Sequence, residues 1–600
     1  MTASQQRSST DNVSSFSAVA PDSGMVDPEY GIDQKIRMKI NTARLVAGAV
    51  SGGSKFFLRE ARRGSLVSTV NSLIRGGGDI SWAEALERQA RRIPDKHFLL
   101  YQDEKHTYRE MDRNANRVGN LLLELGGGRG KGVGILMRNS PRYLDVFFGS
   151  QKIGMYSVTI NIELKGDGLA YVINHSDIDF LVLDAELLEL YQNVADRVQK
   201  QITVIVDDLE EEAVGIDIPE AMKKLGRAYA QMPAENPGVG YNENDICMLM
   251  YTSGTTGEPK GVVYRYNRTT VLRLSLAGHV LIAEDDVYYT AFSLAHGNAL
   301  LTTTTFTLGV GATMALGRKF SASRFWDDIR RYEVTIFNTI GSVLPILMKQ
   351  PPHPLDRQHK VRVVNSSACP KDMWEPFERR FGVRLHEFYG AVDGGGKVIL
   401  NVGNAPIGSL GKIPKAMTYR LVDENGNDVP VGVPGELLFG ARNKTSRVEY
   451  YKNETATQKK SGDGWLRTGD LVKQDRNGFL YFVGRNTESM RKGGENVSAY
   501  EVEQAILKHP AVEEVAVYAV PSELAEDEIM ASVRLAEGKT VEAAELHTFL
   551  IAELAKFAVP RFIRFVESFP TTASHRIIKR VLEEEGVTED TFDAKAAASS

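Results

Sequence analysis

From about residue 82 onward the chain alternates short apolar runs with amphipathic stretches, and that alternation limits the folds open to it. "GVGILM" (132–137), "FLVLD" (180–184) and "ITVIVDD" (202–208) are apolar runs bounded by polar turns. Each predicts a strand buried on both faces. Ahead of them, "HTYREMDRNANRVGNLLLEL" sets Met111, Ala115, Val118, Leu122 and Leu125 at helical spacing, opened by Thr107 three residues before Glu110. Strands alternating with helices predict an α/β fold with a mostly parallel sheet covered on both faces. Past Gly411 the texture changes to "YRLVDENGNDV", "GELLFG" and "GFLYFVG", with turn residues between them. That is antiparallel hairpin chemistry. From about Glu488, "EVEQAILKHP", "EEVAVYAVP" and "TVEAAELHTFLIAELAKF" predict a separate small α+β domain.

One polar loop interrupts this pattern. "YTSGTTGEPKG" (Tyr251–Gly261) lies between "DICMLM" (245–250), which reads as a buried strand, and "GVVYRYN" (261–267). Gly254, Gly257 and Gly261 let the backbone curl tightly. Thr252, Ser253, Thr255 and Thr256 supply hydroxyls and Lys260 an ammonium. Curled N–H groups, hydroxyls and one cation make a phosphate cradle; the alternative is an ordinary polar turn. It is not the P-loop of the NTPases, because Lys260 is followed by glycine rather than Ser or Thr. Four more clusters follow: "EFYGAVDGG", "GWLRTGDL", "VGRNTESMRKGGENVSAYEVE" and "TTASHRIIKRVLEEEG".

Charge and composition exclude some functions. The 600 residues carry 72 Lys and Arg against 77 Asp and Glu, a net charge of −5, which gives no reason to expect nucleic acid. The two cysteines, Cys247 and Cys369, cannot form a disulfide framework and have no metal-ligand spacing around them, so a reducing, cytoplasmic setting is expected. No apolar run reaches the roughly 18 residues of a spanning helix. Residues 1–30, serine-rich at the start, are expected to be a disordered tail. Residues 31–79 form a basic segment. Between Lys35 and Arg63 it holds eight Lys and Arg and one acid, Glu60. It reads either as a helix packed on the domain or as a peripheral contact with the inner face of an anionic membrane.

Over about residues 80–585 the sequence resembles the adenylate-forming superfamily of acyl-CoA synthetases, luciferases and peptide-synthetase adenylation domains. Its phosphate-loop pattern, YTSGTTGxPKG, is matched at every fixed position. Within the superfamily it looks most similar to the fatty-acid transport protein group, the very-long-chain acyl-CoA synthetases, through "TINIELKGDGLAYVINHS" (159–176), "KFSASRFWDDIRRYEVTIFNTIG" (319–341), "WEPFERRFG" (374–382) and "GGENVSAYEVE".

The resemblance implies a large domain of layered α/β sheets with a small distorted β-barrel (80–484), a hinge (485–488), a small mobile α+β domain (489–588) and a tail (589–600). It implies a two-step ligase. A carboxylic acid attacks the α-phosphorus of Mg·ATP to give an acyl-adenylate, and the thiol of coenzyme A then displaces AMP. Thr252, Ser253, Gly254, Thr255, Thr256, Gly257 and Lys260 would hold the leaving pyrophosphate, and Asp393 would meet Mg2+. Asp470 would take the ribose hydroxyls and Arg485 the ribose or phosphate. Ala368, in the Ser367–Pro370 stretch, would face adenine, and Tyr389 would stack on it. His296 would stand beside the acyl pocket, unless it is a core histidine, and Gly494 would line the pantetheine path. Arg576 or Lys579 would supply a cation between carboxylate and α-phosphate.

The sequence departs from the family at three places. Val392-Asp393 stands where Thr-Glu is usual, Thr487 occupies the hinge, and Ser574-His575-Arg576 replaces Ser-Gly-Lys. The acid stays open among medium- to very-long-chain fatty acids, steroid side-chain acids and aryl-alkyl acids. The expected lining, His296–Leu301 and Thr339–Leu344, favours a bulky apolar one. Two alternatives are an acyl-AMP ligase that does not use coenzyme A and a non-catalytic lipid-binding protein. Oligomeric state is not set by the sequence.

Overall fold

The computed structural model describes residues 32–62, 79–208, 216, 218–252, 259–340, 343–415, 417–440, 447–485, 489–492, 495–521, 527–554, 558–571 and 577–597. The apolar runs form two mainly parallel sheets. In the seven-stranded sheet the spatial order is Lys223–Lys224, Thr203–Asp207, Phe180–Asp184, Gly132–Leu136, Tyr156–Thr159, Ile246–Thr252 and Lys260–Arg265. All its neighbours are parallel except the last two strands. Gly132–Leu136, at the centre, is buried at every position, as a strand covered on both faces requires.

The eight-stranded sheet runs Val398–Asn401, Arg384–Gly390, Val363–Ser367, Ile336–Ile340, Val287–Thr290, Thr313–Leu316, His97–Tyr101, Glu104–Thr107. Only its two edge pairs are antiparallel. One buried cluster joins the sheets, with Phe98 and Leu99 from one and Val133 and Ile135 from the other.

The helix Tyr108–Glu124 opens with the expected capping box, Thr107 accepting from the Glu110 amide and Glu110 accepting from that of Thr107. Its face buries Met111, Ala115, Val118 and Leu122 in the joint core. Each of its larger apolar side chains contributes roughly 1.5–3 kcal/mol on burial.

Where the distorted β-barrel was expected stands a four-stranded antiparallel sheet: Tyr419–Val422, Gly435–Gly440, Trp465–Gln474 and Leu480–Arg485. The C-terminal unit has its own core, built on the sheet Val512–Pro521, Asp527–Leu535, Phe562–Phe565 and Phe592–Asp593. It meets the large unit through the Phe482 and Tyr500 rings, 5.4 Å apart, and a Lys349 to Glu513 carbonyl hydrogen bond of 3.4 Å.

One expectation is corrected. Val343 and Leu344, read from sequence as acyl-pocket wall, lie in the buried cluster of Phe325, Trp326, Trp374 and Phe377, packed against helices that include Phe325–Arg331 and Lys371–Phe381. The basic segment forms one helix, Ile32–Arg62, while residues 1–31 and 63–78 lie outside the described residues. Among the described residues no helix is long and apolar enough to cross a membrane.

Candidate active site

The phosphate-loop candidate hangs from a hairpin. Ile246–Thr252 and Lys260–Arg265 pair antiparallel, with Thr252 opposite Lys260 and the Thr252 hydroxyl 3.4 Å from the Lys260 carbonyl. Ser253, Gly254, Thr255, Thr256 and Gly257 lie outside the described residues. The outer edge of this hairpin carries another segment. The Val263 amide donates to the Glu449 carbonyl and the Tyr451 amide to that of Gly261, which fixes Tyr450 beside the hairpin. The Lys260 ammonium lies 5.7 Å from the Tyr450 ring centroid, within cation–π reach.

Tyr450 in turn donates a 2.6 Å hydrogen bond to Asp393 Oδ2, and Lys460 Nζ sits 2.8 Å from the same oxygen. Burial pushes the Asp393 carboxyl up. The Lys460 charge and the hydrogen bonds from Lys460 and Tyr450 outweigh it, so Asp393 is held below the usual carboxylate range. Neither Lys460 nor Tyr450 was picked out from the sequence. Lys460 is one of two consecutive lysines on the short helix Glu454–Ser461. The only signal was its place just ahead of the "GWLRTGDL" turn.

A second carboxylate stands across the cleft. Gly469, at φ +77°, makes the turn before Asp470, and the Asp470 amide donates to the Thr468 hydroxyl. Asp470 Oδ2 accepts a 2.6 Å hydrogen bond from the Tyr389 hydroxyl. Arg485, its cross-strand partner, brings Nε to 3.6 Å from Oδ1. Burial raises Asp470, opposed by Tyr389, Arg485 and Lys460, while Asp393 adds to the rise. Lys460 therefore acts on both carboxylates, and Asp393 and Asp470 are near enough to act on each other.

Glu387 organises the adenine-side candidate. Its Oε1 accepts from the Ala368 amide at 2.6 Å and its Oε2 from the Cys369 amide at 3.1 Å. These bonds hold Ala368 at φ +68°, a left-handed conformation that a residue with a Cβ adopts at a cost of about 1–3 kcal/mol. Burial pushes Glu387 up to about 8 against those two donors.

His296 precedes a π-helix, Asn298–Thr304, whose Thr303 hydroxyl accepts from buried Asn338 at 2.9 Å. A Cβ at Gly297 would come within 2.7 Å of Val392 Cγ2, so Gly297, next to His296 in the chain, lies against the residue preceding Asp393. Lys579 Nζ is 2.7 Å from Glu503 Oε1 within the C-terminal unit. Arg576 and Gly494 lie outside the described residues.

The chain matches the AMP-binding enzyme family over residues 86–447 and the AMP-binding enzyme C-terminal domain over residues 501–576. The crotonobetaine/carnitine–CoA ligase of Salmonella typhi is 31% identical over 510 residues, covering 82% of this chain and 96% of that protein. The structure of the anthranilate CoA ligase AuaEII in complex with anthranoyl-AMP superposes with a TM-score of 0.77 at 27% identity, covering 87% of this chain and 98% of that one. A fatty acyl CoA synthetase of Mycobacterium tuberculosis shares the fold, with a TM-score of 0.61 at 24% identity, over 84% of this chain and 98% of its own. The chain belongs to the AMP-binding enzyme family. It is an AMP-forming acid–thiol ligase.

The residues fit a metal that arrives with the nucleotide. No group of three or more His, Cys, Asp or Glu able to hold a metal occurs among the described residues. Asp393 is a single ionised carboxylate in the cleft, which suits Mg2+ bound mostly by phosphate and water. The ion would neutralise phosphate charge there.

Proposed function

We propose that this chain activates a hydrophobic carboxylic acid, a medium- to very-long-chain fatty acid, as its adenylate and transfers the acyl group to coenzyme A. The observation that carries the reading is the convergence of Lys260, the Asp393–Tyr450–Lys460 cluster and the Asp470–Tyr389–Arg485 cluster on one cleft.

In the proposed first step an oxygen of the acid attacks the α-phosphorus and the P–O bond to pyrophosphate breaks. Such transfer needs positioning and charge neutralisation more than covalent help from the protein. Lys260, Thr252 and the loop 253–257 hold the departing pyrophosphate, and Asp393 would hold the metal ion, which would neutralise phosphate charge. Asp470 takes the ribose hydroxyls. Ala368 and Tyr389 hold the adenine, with Arg485 beside the ribose.

The C-terminal unit then turns about 485–488, and Gly494 leaves room for the pantetheine arm. The thiol attacks the acyl carbon, AMP leaves with the bonding pair, and the thiol proton passes to solvent. Lys579 is already paired with Glu503, which favours Arg576 as the cation beside the α-phosphate.

An apolar acid is supported by Val392, which turns its side chain toward Gly297 and Leu301 beside His296. The named relatives favour a second reading, a small polar or aryl acid such as carnitine, crotonobetaine or anthranilate. Pyrophosphate release with a panel of these acids and of straight-chain acids from six to twenty carbons, together with acyl-CoA detection, tests the proposal. Turnover rising with chain length supports it. Turnover confined to carnitine, crotonobetaine or aryl acids overturns the fatty-acid assignment. Pyrophosphate release with no thioester indicates an acyl-AMP ligase, and the absence of both indicates a lipid-binding protein.

A further inference from the structure

The N-terminal helix Ile32–Arg62 is tied to the large domain by polar contacts: Arg37 binds the Glu378 carboxylate at 2.7 and 2.8 Å, and Asn41 donates to the Gly403 carbonyl at 2.9 Å. Phe56 is its buried anchor, edge-on to His279 with ring centroids 5.7 Å apart. Its outward face is apolar. Ile40 is 48% exposed, Val46 57%, Val50 65%, Phe57 37% and Leu58 60%. At 100° per residue these five fall within an arc of about 120°; exposed Ala43, Ala47 and Ala61 lie in the same arc, with Lys39 and Ser54 the exposed polar residues among them.

Isolated exposed apolar residues need no explanation, but a continuous stripe marks a contact surface. The charges around it select the partner. The helix carries seven Lys and Arg against two acids, Asp33 and Glu60, with Lys35 and Lys39 exposed in its first turns and Lys55 exposed beside the stripe. An anionic lipid surface takes both the apolar residues and the cations. At 31 residues the helix is long enough to cross a bilayer but too polar to do so.

We propose that this helix lies in the plane of an anionic lipid surface, with Ile40, Val46, Val50, Phe57 and Leu58 in the acyl boundary and Lys35, Lys39 and Lys55 at the headgroups. The helix also straps Val271–Leu281, whose Leu274, Ala277 and Leu281 pack beside Phe306 and Phe388. The lipid surface would therefore lie over the side of the large domain that holds Phe388, the neighbour of Tyr389. The proposal does not depend on which acid is activated.

The test uses the full chain and vesicles of phosphatidylcholine alone or with one quarter phosphatidylglycerol. Sedimentation of the protein with the anionic vesicles, at least tenfold more than with the zwitterionic ones and weakened by 1 M salt, is expected. Val50→Asp with Leu58→Asp should abolish binding while leaving the melting temperature unchanged, because both residues face outward. Lys35→Glu with Lys39→Glu should weaken anionic binding roughly fivefold per lysine and flatten its salt dependence. Failure of the parent chain to bind anionic vesicles overturns the proposal. So does a concentration-dependent dimer that the double aspartate variant dissolves, since a second copy would then cover the face.

Discussion

Replacing Asp470 separates its ligand contacts from its part in the fold. Its Oδ2 takes the 2.6 Å hydrogen bond from Tyr389 and its Oδ1 lies 3.6 Å from Arg485. Two ribose hydroxyls on this carboxylate would make two charge-assisted hydrogen bonds, each worth about 1.5–3 kcal/mol. Asp470→Ala should therefore lower kcat/KM for ATP by about a hundredfold to ten-thousandfold. It should also destabilise the protein, by up to about 1 kcal/mol, because the half-buried Tyr389 hydroxyl loses its carboxylate acceptor. Asp470→Asn retains an acceptor for Tyr389 and one ribose contact. It should keep the parent melting temperature while losing roughly ten- to a hundredfold in ATP–pyrophosphate exchange. Tyr389→Phe combined with Asp470→Ala should cost little more than Asp470→Ala alone, since both remove the same bond. Exchange at the parent rate in Asp470→Ala, or equal melting losses in the Ala and Asn variants, would refute the assignment of this carboxylate to the ribose.

Lys460→Met removes the largest opposition to burial at Asp393 and leaves mainly the Tyr450 hydrogen bond, so the carboxyl ionises at higher pH than in the parent. Adenylation at pH 7 should fall roughly tenfold to a thousandfold, and the acid limb of its pH profile should move upward; an unmoved limb excludes the coupling. Arg576→Ala should abolish adenylation while sparing conversion of supplied acyl-AMP to acyl-CoA. Lys579→Ala should lower the melting temperature through Glu503 and leave adenylation nearly intact, and half-reaction kinetics that reverse the two assign the cation to Lys579. Burial lifts Asp145 to about 6 despite the neighbouring Arg142. Its folded value exceeds its unfolded one, so it imposes no penalty below about pH 4 and a penalty of about 3 kcal/mol once pH passes 6. Denaturant unfolding at pH 4.5 to 7.5 should show that decline in the parent and not in Asp145→Asn; equal slopes in the two refute it.

The sequence exposed those parts of the fold whose causes are local. Continuous apolar runs announce buried parallel strands, and Thr107 with Glu110 announces a helix start, because the atoms involved are a few residues apart. Asp470 was legible for the same reason, since a Thr-Gly turn aims the next side chain. Lys460 was not, because nothing in "QKKS" says which lysine faces inward; that depends on how Glu454–Ser461 docks beside Tyr450. Val343 and Leu344 misled for a related reason. They follow a site strand directly, and only the packing of the adjoining helices shows that they belong to the core behind it. The π-helix at Asn298–Thr304, rich in threonine, carries no periodic signal at all.

The departures at 392 and 393 make sense together once their neighbours are known. Aspartate is one methylene shorter than the glutamate usual here, yet Tyr450 and Lys460 both reach its Oδ2, so the carboxylate is fixed and ionised without the longer arm. Valine removes a hydroxyl, but the Val392 carbonyl accepts a 2.9 Å hydrogen bond from Tyr264, so the backbone is anchored without one. Its Cγ2 can then turn toward Gly297 and the acyl side. A hydroxyl buried there without a partner would cost about 1–3 kcal/mol, whereas a methyl adds apolar contact. In the proposed reading, adjacent residues face opposite halves of the reaction, Asp393 the phosphates and Val392 the acid, and the two departures together would sharpen the boundary between a charged and an apolar subsite.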